Sequence, residues 1–305
     1  MIRLSKPVLN IIQKFMLCLR SRLGTPFSYS LASVTGLFVA YRGLPPLKLA
    51  FLLATSTAFV SLSVYLYNDL MDLVDDRRGI ERGSSTTAKR PLQRGVVTKG
   101  EMASFVVFSA AMGLIAAALI NVNVLFPQVF FLLLGVAYST EPIRLKKRFI
   151  IKQGTVALGF VISTMVACAA VGVFSWMVAY IAYLYVVFSF SISPIFDLKD
   201  IEEDRIAGIK SIPVVWGPDN TFRLSIAIWV STILASVLGY SRMGFNIVLP
   251  IFGTIIIASI IYVVYPLRKQ WIVEDKLMNA INKKFMPLHF ILQLTVIIAS
   301  LPIAL

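Results

Sequence analysis

Two stretches of the chain concentrate aspartates at one spacing. Asp69, Asp72 and Asp76 stand at i, i+3 and i+7, and Asp197, Asp200 and Asp204 repeat the pattern. On a continuing helix each trio falls on one face, within roughly 60° of the wheel. Like charges on one face repel, and near a membrane their desolvation adds to the cost. A cation among them relieves both. Oxygen-only donors, with neither His nor Cys, suit hard Mg²⁺ or Ca²⁺. Mg²⁺ takes only one or two carboxylates per ion and completes its shell with water and phosphate oxygens. Two such clusters facing each other would hold about two ions with a diphosphate bridged between them. Solvated loop charges beside arginines would account for one cluster, but less well for two of equal spacing.

Basic residues follow. One loop reads Ala88-Lys89-Arg90-Pro91-Leu92-Gln93-Arg94-Gly95, and a later one Tyr138-Ser139-Thr140-Glu141-Pro142-Ile143-Arg144-Leu145-Lys146-Lys147-Arg148. A departing diphosphate carries up to about three negative charges, which Arg meets in bidentate fashion and Lys as a point charge. Lys89, Arg90, Arg144 and Lys146 are the candidate cations, and Tyr138 the candidate hydroxyl donor. Arg148 and Lys152 read as ordinary loop charges. Arg77, Arg78, Lys89 and Arg94 are available to a phosphate on an acceptor.

The elements that must position these groups are set by composition. Of 305 residues, 58% are hydrophobic and 14% charged, and the mean hydropathy is +0.82. Soluble domains carry roughly 25% charged residues, so this chain has too little polar surface to be one. The alternation of an outer-membrane barrel is missing. The expectation is an all-α integral membrane protein. Uncharged stretches run over 24–41, 49–67, 102–140, 153–196, 224–241, 243–267 and 285–305. The third and fourth hold 39 and 44 residues. Each is long enough for two helices of about 20 residues, with breaks near Asn121 to Pro127 and Gly172 to Ser175. The total is nine transmembrane helices. The N-terminal segment and the loops after helices 2, 4, 6 and 8 then carry 26 of the 29 Lys and Arg and all 15 acids. Only Arg42, Lys48 and Arg242 fall on the other side. The positive-inside rule makes the charged side cytoplasmic, N-terminus included. In a membrane protein the net charge of +14 reads as this bias plus attraction to anionic lipid, and not as nucleic-acid binding.

Residues 1–23 are expected to form an amphipathic segment lying on the inner membrane surface, with Val8, Ile11, Ile12, Phe15 and Leu19 at helical spacing. Lys14, Arg20 and Arg22 interrupt any signal-peptide core. Residues 24–305 form one domain. Cys18 and Cys168 make no disulfide framework or zinc site. The single His289 speaks against a Ser/His/Asp triad and His-based metal sites, and reads as structural. Phe59, Phe105 and Phe108 read as packing.

The ordered set NDxxDxxxD at 68–76, KRPLQRG at 89–95, YSxxPxRLK at 138–146 and DxxDxxxDxxxGxxSxP at 197–213 resembles the UbiA superfamily of intramembrane prenyltransferases, over nearly the whole chain. The resemblance implies a single bundle of nine helices around a lipid-open central cavity capped by cytoplasmic loops. It implies Mg²⁺-dependent transfer of a polyprenyl group from its diphosphate. By motif position Asn68, Asp72 and Asp76 correspond to the first metal and diphosphate motif, and Asp197, Asp200 and Asp204 to the second. Asp69 matches the family's first Asp. The segments 138–146 and 197–217 look closest to the archaeal lipid and chlorophyll-synthase branches, and geranylgeranyl is the chain length that likeness suggests. Pro142 stands where the 4-hydroxybenzoate branch would place its Lys. The acceptor is a lipid, geranylgeranylglyceryl phosphate, or an aromatic ring on the way to a quinone or a chlorin. A cation transporter is the rival that also uses repeated acidic helices. It would place its acids near the bilayer midplane, often in inverted repeats, whereas here the repeat is parallel and lies at helix ends.

Overall fold

The computed structural model describes residues 10–74, 90–272 and 274–302. Every regular element among them is helical: α1 Ile11–Arg22, α2 Gly24–Tyr41, α3 Leu47–Met71, α4 Lys99–Ala118, α5 Val122–Ser139, α6 Ile151–Val171, α7 Trp176–Ser191, α8 Ser193–Asp197, α9 Ile201–Ile206, α10 Ile212–Met243, α11 Val248–Val264, α12 Glu274–Ala280 and α13 Met286–Ser300. Short tighter turns cover Leu145–Lys147, Leu198–Asp200 and Tyr265–Lys269, and a wider helical turn, Ile281–Phe285, joins α12 to α13.

The breaks expected from sequence have local causes. Asn121 caps α5 by accepting from the Val124 amide at 2.9 Å, and Pro127 is tolerated inside the helix that follows. Gly172, at φ 82°, ends α6 in the left-handed conformation, and Ser175 caps α7. Capping boxes start α1 (Asn10 with Gln13) and α4 (Thr98 with Glu101). Gly217 at φ 78°, followed by Pro218, kinks α10 just inside its start.

Seven helical runs among the described residues are long and apolar enough to cross a membrane, from Leu47–Met71 through Val248–Lys269. Two of the nine spans expected from sequence, α2 and α13, fall outside that set. Helix α13 has 15 residues, and α2 carries Thr25, Ser28, Ser30, Ser33 and Thr35. The hydroxyls in α2 are served locally: Ser28 donates to the Gly24 carbonyl at 2.8 Å, Ser33 to Ser30 at 2.8 Å, and Ser30 across to Ala54 on α3 at 3.1 Å.

The helices close on themselves. Helix α3 packs on α2, α4 and α5; α6 packs on α2, α5 and α7; α10 packs on α7 and α11; and α13 returns from α11 to α2. Thr35 and Gln293 join α2 to α13 at 3.3 Å, and Arg42 donates to the Ser300 carbonyl at 3.1 Å. A stack of three rings runs through the interior: Tyr29 on Phe160 at 4.1 Å and Phe160 on Tyr185 at 4.8 Å, all three buried. His289 is buried beside Gln293 at 2.9 Å, as expected of a packing histidine. Phe105 is buried and pairs edge-on with Phe15 of α1.

Close helix approach rests on glycine. A Cβ on Gly113 of α4 would stand 2.8 Å from the Val60 amide nitrogen and 3.0 Å from the Ser56 carbonyl of α3, backbone atoms that cannot swing away. Gly113→Ala is therefore expected to lower stability by about 1–3 kcal/mol, as overpacking does. Thermal unfolding of the detergent-solubilised protein reads this out, and an unchanged midpoint would mean that α3 and α4 do not touch there.

Candidate active site

The site is built where α3 and the run α7–α9 end. Helix α3 stops at Met71 and Asp72 forms its C-cap. The helix is interrupted there for one residue, and Leu73 and Val74 are helical again. Asp76, Lys89, Arg77 and Arg78 lie outside the described residues. The second trio stays helical, with Asp197 closing α8, Asp200 in the tight turn and Asp204 in α9.

Asp69 is 1% exposed and is held by two arginines. Arg22 of α1 pairs with both of its oxygens, through Nε at 2.9 Å and through a second guanidinium nitrogen. Arg90 reaches it at 3.2 Å. The Arg22 guanidinium also lies over the Tyr65 ring, 5.8 Å from its centroid. Asp72 takes the Lys146 ammonium and, at 3.2 Å, Arg144. Arg144 sits at φ 30°, and its other nitrogen holds Glu141 at 3.0 Å. Those hydrogen bonds from Arg144, and then from Lys147, hold the Glu141 carboxyl below its ordinary range. The Asn68 side-chain oxygen accepts from Ser139 at 3.1 Å, and Tyr67 meets Thr140 at 2.7 Å. The ends of α3 and α5 are thereby locked together.

The second cluster is served by the start of α6. Asp197 accepts from the buried Gln153 amide at 2.9 Å and pairs with Lys152 at 3.0 Å. Lys152 also reaches Asp204 at 3.3 Å. Asp200 lies 3.9 Å from Lys199, with Glu203, Asp204 and Asp197 within electrostatic reach, and its side chain is 33% exposed. Two features bring the clusters together. Tyr138, half-buried at the end of α5, is within electrostatic reach of Asp72 from one cluster and of Asp197 and Lys152 from the other. The segment 144–153 sends Arg144 and Lys146 to Asp72 and Lys152 and Gln153 to the second trio. That segment is tied to the loop after α9 by a hydrogen bond from the Lys210 amide to the Lys147 carbonyl at 3.2 Å.

Sequence reasoning missed Arg22, Lys152, Gln153 and Ser139. Lys152 was expected to be an ordinary loop charge; instead it bridges two carboxylates. A lysine in the first turn of a helix faces the positive end of the helix dipole. That misfit was a signal available in the sequence once α6 was placed. For Arg22 no sequence signal exists, since the helix that carries it reads as surface. Cys18, on the same helix, is packed among Leu62, Leu66, Leu73, Leu92 and Met102. Burial, with Asp69 and Glu101 adding to it, pushes its thiol up to about 12.

The donor set suits a hard divalent ion: carboxylate and amide oxygens, with no thiolate or imidazole among them. Among the described residues no three carboxylates converge on one point. Mg²⁺ asks for no more than one or two and takes the rest of its shell from phosphate and water. Cations and carboxylates alternate through the site, so an anion and a metal ion can be bound side by side.

Several known proteins are built alike. Residues 30–289 match the model of the UbiA prenyltransferase family. A digeranylgeranylglyceryl phosphate synthase of Thermococcus sibiricus is 26% identical over 208 residues, covering 68% of this chain and 71% of that protein. A bacteriochlorophyll synthase 33 kDa chain of Cereibacter sphaeroides is 36% identical over 103 residues, a third of each chain (33% and 34%). Among solved structures, a UbiA homolog of Archaeoglobus fulgidus bound to DMAPP and Mg²⁺ superposes with a TM-score of 0.67 at 21% identity, covering 94% of this chain and all (100%) of the other. The family match spans the helices that carry both acidic clusters and the basic turns between them, and the protein is a multi-pass membrane prenyltransferase that belongs to the UbiA prenyltransferase family.

Proposed function

We propose that the protein transfers a polyprenyl group, geranylgeranyl in length, from its diphosphate to a lipid acceptor of the geranylgeranylglyceryl phosphate kind, with Mg²⁺. The observation that carries this reading is the alternation of Asp72, Lys146 and Arg144 with Asp197, Lys152 and Asp204 around Tyr138. An arrangement of that kind grips a diphosphate from both sides. Asn68, Asp72, Asp76, Asp197, Asp200 and Asp204 would hold the metal; Asp69 supports the site through its arginines. Bound there, Mg²⁺ supplies charge neutralisation to the leaving diphosphate.

The chain's own residues do the rest. Lys146 and Arg144 donate to the diphosphate oxygens as the allylic C–O bond lengthens and negative charge moves onto the leaving group. Arg90, with Lys89 beside it in sequence, serves the outer phosphate, and the Tyr138 hydroxyl donates from the apolar side. The allylic cation needs a dry surround, and the Tyr29–Phe160–Tyr185 stack supplies apolar faces below the charged layer. The acceptor oxygen attacks, and its proton leaves with the diphosphate or with water. No covalent enzyme intermediate is required. The lipid-open cavity, nine spans with α2 and α13 included, and inward-facing N-terminus and active-site loops belong to the same reading. The division into an interfacial segment 1–23 and a catalytic domain 24–305 belongs to it too. Support for orientation comes from the 26 of 29 basic residues on one side.

The bacteriochlorophyll synthase likeness over 103 residues favours one second reading, a chlorin acceptor. The test takes purified protein in detergent with radiolabelled geranylgeranyl diphosphate and Mg²⁺. It offers geranylgeranylglyceryl phosphate, an aromatic quinone precursor and a chlorin in turn, and identifies product by mass. Expected is a digeranylgeranyl product with the first, lost when EDTA removes the metal. Product with the chlorin alone selects the second reading; product with none of the three, from folded protein, refutes both.

A further inference from the structure

We propose that Lys152 is the built-in counter-ion of the second acidic cluster, a positioning residue that occupies the space between Asp197 and Asp204 and exchanges with a divalent ion there. The inference rests on the reading that this cluster takes a metal, and adds how the cluster is kept ready for it.

Three observations carry it. The Lys152 ammonium lies 3.0 Å from one oxygen of Asp197 and 3.3 Å from one of Asp204, with the lysine side chain 15% exposed. It sits in the first turn of α6, where the helix dipole disfavours a cation. Partly removed from water and at the wrong end of a helix, it is held there by the two carboxylates. Those carboxylates are separated by two helical turns of sequence and come from different elements, α8 and α9. They would repel one another if left bare. Gln153, fully buried next along the chain, fixes the same Asp197 oxygen at 2.9 Å. One ammonium therefore bridges the pair and offsets half of its charge, and the neighbouring Gln153 amide orients Asp197. Asp200, the third member, is left outside this arrangement at 3.9 Å from Lys199.

The chemistry follows from charge. A divalent ion entering between Asp197 and Asp204 competes with a monovalent cation already there, so each ion bound displaces one ammonium. Displaced, Lys152 remains beside Tyr138, on the side of the site where an anion would lie. The lysine thus keeps two carboxylates together before metal arrives and sets how tightly they bind it.

The test uses the full-length protein in detergent, with Mn²⁺ as the probe, bound in the absence of any prenyl diphosphate and followed by calorimetry. Lys152→Met is expected to bind Mn²⁺ about tenfold more tightly, since a unit charge a few ångströms away opposes the ion. Its metal-free melting point should fall and be restored by Mn²⁺. Lys152→Arg keeps the charge and should stay within about twofold of the parent. Unchanged or weaker Mn²⁺ binding by folded Lys152→Met overturns the proposal while leaving the enzymatic reading intact. A parent protein that binds no Mn²⁺ overturns the metal reading and this inference together. If Lys152→Met fails to fold, the comparison is made in the Asp204→Asn background. There, loss of the ammonium must again tighten Mn²⁺ binding at Asp197, and failure to do so is equally decisive.

Discussion

Asp72→Ala is expected to abolish transfer, by at least about 100–1,000-fold in kcat, because the metal ion it would hold neutralises charge on the leaving diphosphate. The same change should weaken the fold. Asp72 holds Lys146 and Arg144, whose side chains are 8% and 11% exposed. Taking the acid from a buried ion pair costs up to about 3–5 kcal/mol, and less here because Arg144 keeps Glu141 at 3.0 Å. Asp200→Ala makes the informative companion. Asp200 is a third exposed and its ion pair with Lys199 is long, at 3.9 Å, so its loss should leave stability nearly unchanged while transfer falls just as far. Product formed per folded molecule, read beside the thermal midpoint, separates the two effects. Wild-type turnover in either variant would remove that aspartate from the site.

Arg22→Met is expected to have the largest effect on stability of any change in the N-terminal helix, again about 3–5 kcal/mol. It takes from Asp69, 1% exposed, the guanidinium that pairs with both of its oxygens. Asp69→Asn should cost a similar amount for the opposite reason, taking the carboxylate charge from the two guanidinium groups that share it. The Arg22→Met/Asp69→Asn pair should cost clearly less than the two single changes together, because the charges are removed jointly. Additive losses would mean that α1 is held by its apolar contacts and not by this pair. Those contacts are real. Phe15, Cys18 and Leu19 pack against Leu62, Leu66 and Phe105, whereas Ile11 and Ile12 remain exposed at 54% and 69%. The helix thus turns part of its apolar face to the bundle and leaves part free, where the sequence reading laid the whole face on the membrane.

Much of the molecule was legible in advance because the bilayer restricts it to helices of a fixed length. The breaks at Asn121 and Gly172 were marked by capping and left-handed residues, and the structure puts them there. The end of α3 was harder. The helix is interrupted at Asp72, its C-cap, before Leu73 and Val74, and Asp76 lies outside the described residues. A period along one segment does not mark an interruption of that kind. Helices α2 and α13 show the limit of hydropathy. Serines in α2 answer their own carbonyls, so its polar letters understate how readily it packs inside.

The helical class and the segments rich in carboxylate can be read from the amino-acid sequence. Each of these follows from local composition, or from a period repeated along one segment. Which cation meets which acid was decided only by tertiary structure. Arg22 meets Asp69 across 47 positions, and Lys152 meets Asp204 across 52. Such pairs form because desolvated charges must find partners wherever the packing of distant helices brings them, and no periodicity within either segment encodes that meeting.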